Sequence, residues 1–83
     1  MALAQFTKKD VNSILKALPS MLRVRARRFW VDYDEDADVM YITFHRPQQA
    51  SESRVREDGI IVRTRGKDVV GITILEASAR SGR

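Results

Sequence analysis

The chain contains no cysteine, a single histidine and, among 83 residues, only six aromatics (one Trp, two Tyr, three Phe). With no thiol, neither a disulfide nor a thiolate zinc site can stabilise the fold, and a reducing compartment suits such a sequence. His45 stands alone. A general base needs an oriented partner within hydrogen-bond reach, and no serine or cysteine nucleophile motif accompanies it, so it reads as a strand-end histidine without chemistry. Gly59, Gly66 and Gly71 are isolated, whereas a phosphate-cradling loop needs clustered glycines. Long apolar runs are missing too. Residues 1–9 hold no apolar run of the roughly 7 to 15 residues of a secretory signal, and no stretch approaches the ~20 apolar residues of a membrane span. These absences lead us to expect a soluble cytoplasmic protein with no membrane contact, no catalytic residue, no cofactor and no metal.

What remains is small and basic. A chain of this length has room for one core, and a domain so short buries only about 60% of the surface its unfolded form exposes. Burial against a second copy or a partner is the source of stability still open. Lys and Arg number 15 against 11 Asp and Glu, a net charge of +4, and the distribution is uneven. Lys8, Lys9, Lys16, Arg23, Arg25, Arg27 and Arg28 face the single acid Asp10, then Asp32, Asp34, Glu35, Asp36 and Asp38 follow without a base. The carboxy-terminal Arg80-Ser81-Gly82-Arg83 is basic again and reads as a frayed end.

Along the chain, Thr7 with Asp10 three residues on forms a capping-box pattern, and Phe6 and Val11 occupy the staple positions. Val11, Ile14, Leu15 and Leu18 recur at helical spacing, so a helix starts here, and Pro19 is expected to end it or begin a further turn. From Phe29 the period becomes two. Phe29, Val31 and Tyr33 alternate with Trp30 and Asp32, Asp34 to Asp38 is a turn, and Val39 to Phe44 is a second strand. Residues 50–57 read as a loop or a short edge strand. Asp58-Gly59 and Arg65-Gly66-Lys67-Asp68 are turn signals before Ile60–Thr64 and Val69–Leu75. The fold expected is therefore α+β: an N-terminal helix plus an antiparallel sheet of about four strands, a β-meander. Residues 1–28 form a basic helical arm and 29–79 the sheet domain, together one folding unit.

The stretch from Tyr33 to Phe44, YDEDADVMYITF, resembles the opening signature of a family of short bacterial and archaeal proteins, the domain-of-unknown-function family 2283. Asp58-Gly59-Ile60-Ile61-Val62 and the run from Val69 to Ser78 are similar to its second half in order and spacing; Thr73 stands where members more often carry Glu. The resemblance covers about residues 30–78 and leaves out the basic arm. The family has no assigned catalytic residues, so the resemblance implies none here. Members often lie beside small toxin-like proteins, which implies an antitoxin-like role and a small toxin-like partner.

Three groups of residues are candidate sites. The acids from Asp32 to Asp38 invite a calcium reading, but a calcium loop needs Gly at position 6 and Glu at position 12. Those positions are Ala37 and Thr43 counting from Asp32, and Val39 and His45 counting from Asp34. Both registers fail, and a solvated hairpin turn is expected. The second group is Arg23, Arg25, Arg27 and Arg28. In an extended chain Arg23, Arg25 and Arg27 share one side, a row of donors for phosphates or for the carboxylates of an acidic partner. The plain alternative is a solvated linker whose Arg stems cover apolar surface. Third, two strands are apolar on both faces: Met40, Ile42 and Phe44 oppose Val39 and Tyr41, and Val70, Ile72 and Ile74 oppose Val69 and Leu75. One short helix cannot cover both faces, so Met40, Ile42, Phe44, Val70, Ile72 and Ile74 are expected to form an interface in a homo-oligomer. The functional expectation is a non-catalytic protein-interaction module that self-associates through its sheet. Its alternative is a small nucleic-acid-binding protein using residues 23–28.

Overall fold

A computed structural model describes residues 6–80. Residues 81–83 of the expected frayed end lie outside the described residues.

Helix α1 runs from Lys8 to Arg23. Its start follows the sequence pattern: the Asp10 carboxylate accepts the Thr7 backbone N–H at 2.6 Å and the Thr7 hydroxyl at 3.2 Å. That is the return half of a capping box, which satisfies a donor the helix itself cannot. Its end differs from expectation, since Pro19 lies inside the helix. Proline removes one backbone donor, leaving the Leu15 carbonyl without its intrahelical bond. On an exposed helix water can hydrate that carbonyl, and Ala17, Leu18, Met21 and Leu22 are strong helix formers on either side. Helical geometry stops at Val24, whose N–H donates to the Met21 carbonyl at 3.1 Å.

After the linker come β1 (Trp30–Asp34), β2 (Val39–Thr43), β3 (Glu52–Val55), β4 (Ile61–Arg65), β5 (Asp68–Leu75) and the 3₁₀ helix η1 (Ala77–Arg80). The α+β class and the antiparallel sheet agree with the sequence reading. Residues 52–55, left open between loop and strand, form a fifth strand at the sheet edge. A simple meander is not what forms, because the strand order is β1-β2-β5-β4-β3. Strand β2 pairs with β5 rather than with its successor. The physical reason lies in composition. Strand β5 is the longest apolar strand and gains most from a central position, whereas Glu-Ser-Arg-Val in β3 suits an exposed edge.

The register separates two faces. On the first, Val31, Ile42, Ile72 and Val62 stand in one row across four strands, with Tyr33, Met40 and Ile74 in the next. On the second, the corresponding row is Trp30, Thr43, Gly71 and Arg63. The same register gives the sheet a polarity of charge. The acidic β1–β2 turn lies at one end, while the linker, the segment after β2 and the β4–β5 turn, with Arg25, Arg27, Arg28, Arg46, Arg65 and Lys67, lie at the other.

Very little of this is buried. Val39 and Val70, at 9% and 3% exposure, are the buried apolar residues among those described, and α1 contains none. Among the described residues no helix packs along a strand. For a chain of 9.5 kDa the accessible surface is 7532 Å², against about 5,000 Å² for a compact monomer of that mass. The radius of gyration, 14.2 Å, likewise exceeds the roughly 12 Å of a compact domain. A sheet without a second layer is an incomplete core.

Candidate functional site

The six residues expected at an interface, Met40, Ile42, Phe44, Val70, Ile72 and Ile74, fall on the first face. Ile42 pairs with Ile72 and Met40 with Ile74, and the Phe44 N–H donates to the Val70 carbonyl at 2.9 Å. Val70 is buried within the single chain, beside Val24, Ala26 and Phe44, with which it lines a groove of about 740 Å³. The other five are half-buried. Sequence reasoning left out Val31, Tyr33 and Val62, which extend the patch; Val31 and Tyr33 are 50% and 46% exposed. Their signal was available in the alternation of β1 and in the position of Val62 between two turns.

The second face is not bare. After β2 the chain turns back over it. Arg46 stacks its guanidinium on the Trp30 ring at 5.4 Å, and the Gln48 amide lies above Gly71 and donates to the Thr43 hydroxyl at 3.3 Å. Gln49 accepts a hydrogen bond from Arg65 at 3.0 Å. A Cβ on Gly71 would collide with Gln48 Nε2, so the lack of a side chain at Gly71 is what permits this close approach. Under this roof is a cleft of about 410 Å³ lined by Tyr41, Thr43, Arg46, Gln48, Arg63 and Thr73 among others. The Nε of Arg63 is buried there without a hydrogen-bond partner. Two guanidiniums with no carboxylate among the lining residues suit an oxygen-rich anion.

The four expected arginines divide between elements. Arg23 ends α1, so Arg23, Arg25 and Arg27 do not form the single row of an extended chain, the helix having run past Pro19 to take in Arg23. Arg25 lines a groove with Arg65, and Arg27 and Arg28 line another with Trp30 and Arg46. Both grooves share Ala26, Phe44 and His45. All four arginines are exposed, and none forms an ion pair among the described residues. The result is an arginine cluster drawn from three segments distant in sequence. Arg46 and Arg65 could not be assigned to it from sequence because only the strand order brings them there.

At the opposite end, the acidic turn is more than a solvated loop. The Tyr33 hydroxyl donates to Asp38 Oδ1 at 2.6 Å, and Ser78 donates to Asp38 through its backbone N–H at 3.0 Å and its hydroxyl at 2.7 Å. The Ala77 N–H donates to the Asp38 carbonyl at 3.0 Å. These donors hold the Asp38 carboxyl below its ordinary pKa, Tyr33 first and Ser78 second, and the same Asp38 bond raises the Tyr33 phenol. Asp38 has φ of 56°, a left-handed conformation that aspartate tolerates better than most side chains. Asp34 Oδ1 accepts the Ala37 N–H at 3.2 Å, as a turn of self-bonding residues should. No group of three or more metal-binding side chains is found among the described residues, and no helix of theirs is long and apolar enough to cross a membrane.

A family model described as protein of unknown function (DUF2283) matches residues 30–78, from the first residue of β1 into η1. The match spans more than half of the chain, which therefore belongs to the DUF2283 family. No match was found among curated proteins or among solved structures.

Proposed function

We propose that this protein is a non-catalytic interaction module that self-associates through the first face of its sheet. The observation carrying this reading is the missing second layer. The row Val31, Ile42, Ile72 and Val62 has no helix packed on it, and the accessible surface exceeds that of a compact monomer by about 2,500 Å². A stable interface takes about 800 Å² from each partner, so this excess is ample. The arginine end remains free for a further, acidic partner, in keeping with the antitoxin-like role that the family resemblance implies. Gel filtration with light scattering tests the first step. A dimer or larger species at tens of micromolar is expected, and a strict monomer removes the reading.

A second reading, nucleic-acid binding, is favoured by one observation: Arg46 and Arg65 join Arg25, Arg27 and Arg28 around His45. Contacts of this kind are phosphate contacts that release counterions. About four to six of them would weaken duplex binding by roughly two to three orders of magnitude between 50 and 200 mM salt. Changing Arg23, Arg25 and Arg27 together to Ala should then lower affinity and flatten the salt dependence. Purification of the tagged protein with and without nuclease separates an RNA or DNA partner from a protein one.

A further inference from the structure

Two apolar surfaces of this chain lack a counterpart, and they are of opposite kinds. One is the first face of the sheet. The other is a stripe along α1 at the spacing of one helical side: Val11, Ile14, Leu15, Leu18 and Leu22 are 54%, 61%, 56%, 41% and 75% exposed. A 16-residue helix is about 24 Å long, and five strands at about 4.8 Å spacing make a sheet about 19 Å across. The helix is thus long enough to cross the whole face, yet it packs along no strand of its own chain.

We infer that in the self-associated protein α1 of each copy lies across the first face of the other copy's sheet, a reciprocal exchange about a twofold axis. This rests on the self-association proposed above and adds which element does the covering. Stacking two sheets face to face would cover the row through Ile72 but leave both helical stripes in water. Pairing two helices would do the reverse. The exchange covers both, and its isologous symmetry closes at two copies. Two such contacts need to bury only about 800 Å² each to reach the roughly 1,600 Å² of a stable interface. Charge favours the same arrangement: the polar side of α1 carries Lys8, Lys9 and Lys16, and Asp34, Glu35 and Asp36 border the sheet at one end. Within one chain the exposed helix is unexplained; in the exchanged dimer it is the missing second layer.

Because the chain has no cysteine, the contact can be mapped with single-cysteine variants of the full-length protein. Leu15→Cys and Ile72→Cys chains carrying tags of different size are mixed, equilibrated and treated with a short bismaleimide. The expected product is the mixed dimer, at several times the yield of either homodimer. Dominant Ile72→Cys homodimers mean sheet-on-sheet stacking, and dominant Leu15→Cys homodimers mean helix pairing; each overturns the exchange while leaving self-association intact. A double variant, Leu15→Cys with Ile72→Cys, that links only within one chain also overturns it. As a second measurement, Leu15→Glu with Leu18→Glu should raise the dimer dissociation constant at least a hundredfold. The amide resonances of β2 and β5 should meanwhile stay dispersed, since neither leucine packs on its own sheet. An unchanged dissociation constant overturns the exchange, and a wild-type protein that is monomeric throughout removes it together with the self-association it rests on.

Discussion

Two neighbouring rows of the same sheet, one residue apart on every strand, have opposite characters. Val31, Ile42, Ile72 and Val62 form an aliphatic row with no helix over it, whereas Trp30, Thr43, Gly71 and Arg63 form a mixed row roofed by Arg46 and Gln48. Because side chains alternate along strands, one register fixes both rows at once. The two faces therefore find their second layers in different places. The second face takes it from its own chain, in a segment whose polar side chains satisfy Thr43 and stack on Trp30. The first face offers mainly aliphatic and aromatic groups, among them Ile42, Ile72, Phe44 and Tyr33, and needs an apolar cover of matching size, which its own chain holds away in α1.

A charge on the first face should do the most damage. Ile72→Asp places an unpaired carboxylate between Ile42 and Val62, and we expect a loss of about 3 kcal/mol or more from association or folding. Tyr41→Asp, on the second face where Tyr41 is 43% exposed, should change either by less than about 1 kcal/mol. Denaturant melts and light scattering on both variants decide the matter. Equal effects would mean that the two faces are energetically alike.

Local signals in the sequence read well wherever their partners are close by. The Thr7–Asp10 cap, the hairpin across Asp34 to Asp38 and the two glycine turns each depend on residues within five positions of one another. That Met40, Ile42 and Phe44 share a face, as do Val70, Ile72 and Ile74, was legible because period two fixes which side chains lie together once a strand is assumed. Distant pairings were not legible. Nothing near Val39 specifies that β2 pairs with β5, so neither the gathering of Arg46 and Arg65 with the linker arginines nor the Asp38–Ser78 bonds, 40 residues apart, could be read. Pro19 misled for a different reason. Its lost hydrogen bond is a local cost, and the four helix formers Ala17, Leu18, Met21 and Leu22 on an exposed helix outweigh it.

A smaller effect sharpens the picture of the roofed face. Gly71→Ala puts a methyl group where Gln48 Nε2 now lies and 3.1 Å from the Ile42 carbonyl. Gln48 is flexible and can move aside, so we expect a cost of about 1 kcal/mol, mainly the Gln48–Thr43 hydrogen bond and crowding of the carbonyl. The oligomeric state should not change, because the substitution points away from the first face. Chemical denaturation gives the cost, and the shift of the Gln48 side-chain amide in NMR spectra reports the opening of the roof. A change in oligomeric state would show that the two faces are coupled.

The smallest effect concerns the place where the two faces end together, at Asp38. Its carboxylate holds Tyr33, at the edge of the first face, and Ser78 in η1. The folded chain lowers the Asp38 pKa from 3.8 because the Tyr33 hydroxyl, and then Ser78, donate to the ionised form. A depressed folded pKa means that the unfolded chain binds the proton more readily. Asp38 therefore contributes its stability in full above about pH 3.8 and loses it as pH falls through the lower folded value. Tyr33 has the opposite sign. Its pKa is raised above 10.0 by the same bond, so its contribution is present below pH 10 and is lost as pH rises through the raised value. Asp38→Asn tests both at once, since asparagine also tolerates the left-handed backbone at φ 56° but carries no charge. In urea melts between pH 2 and 11 the variant should be less stable than the wild type near neutrality, and the gap should narrow toward each extreme. A gap that stays constant across the range would mean that the bonds to Tyr33 and Ser78 do not hold the acidic end of the sheet together.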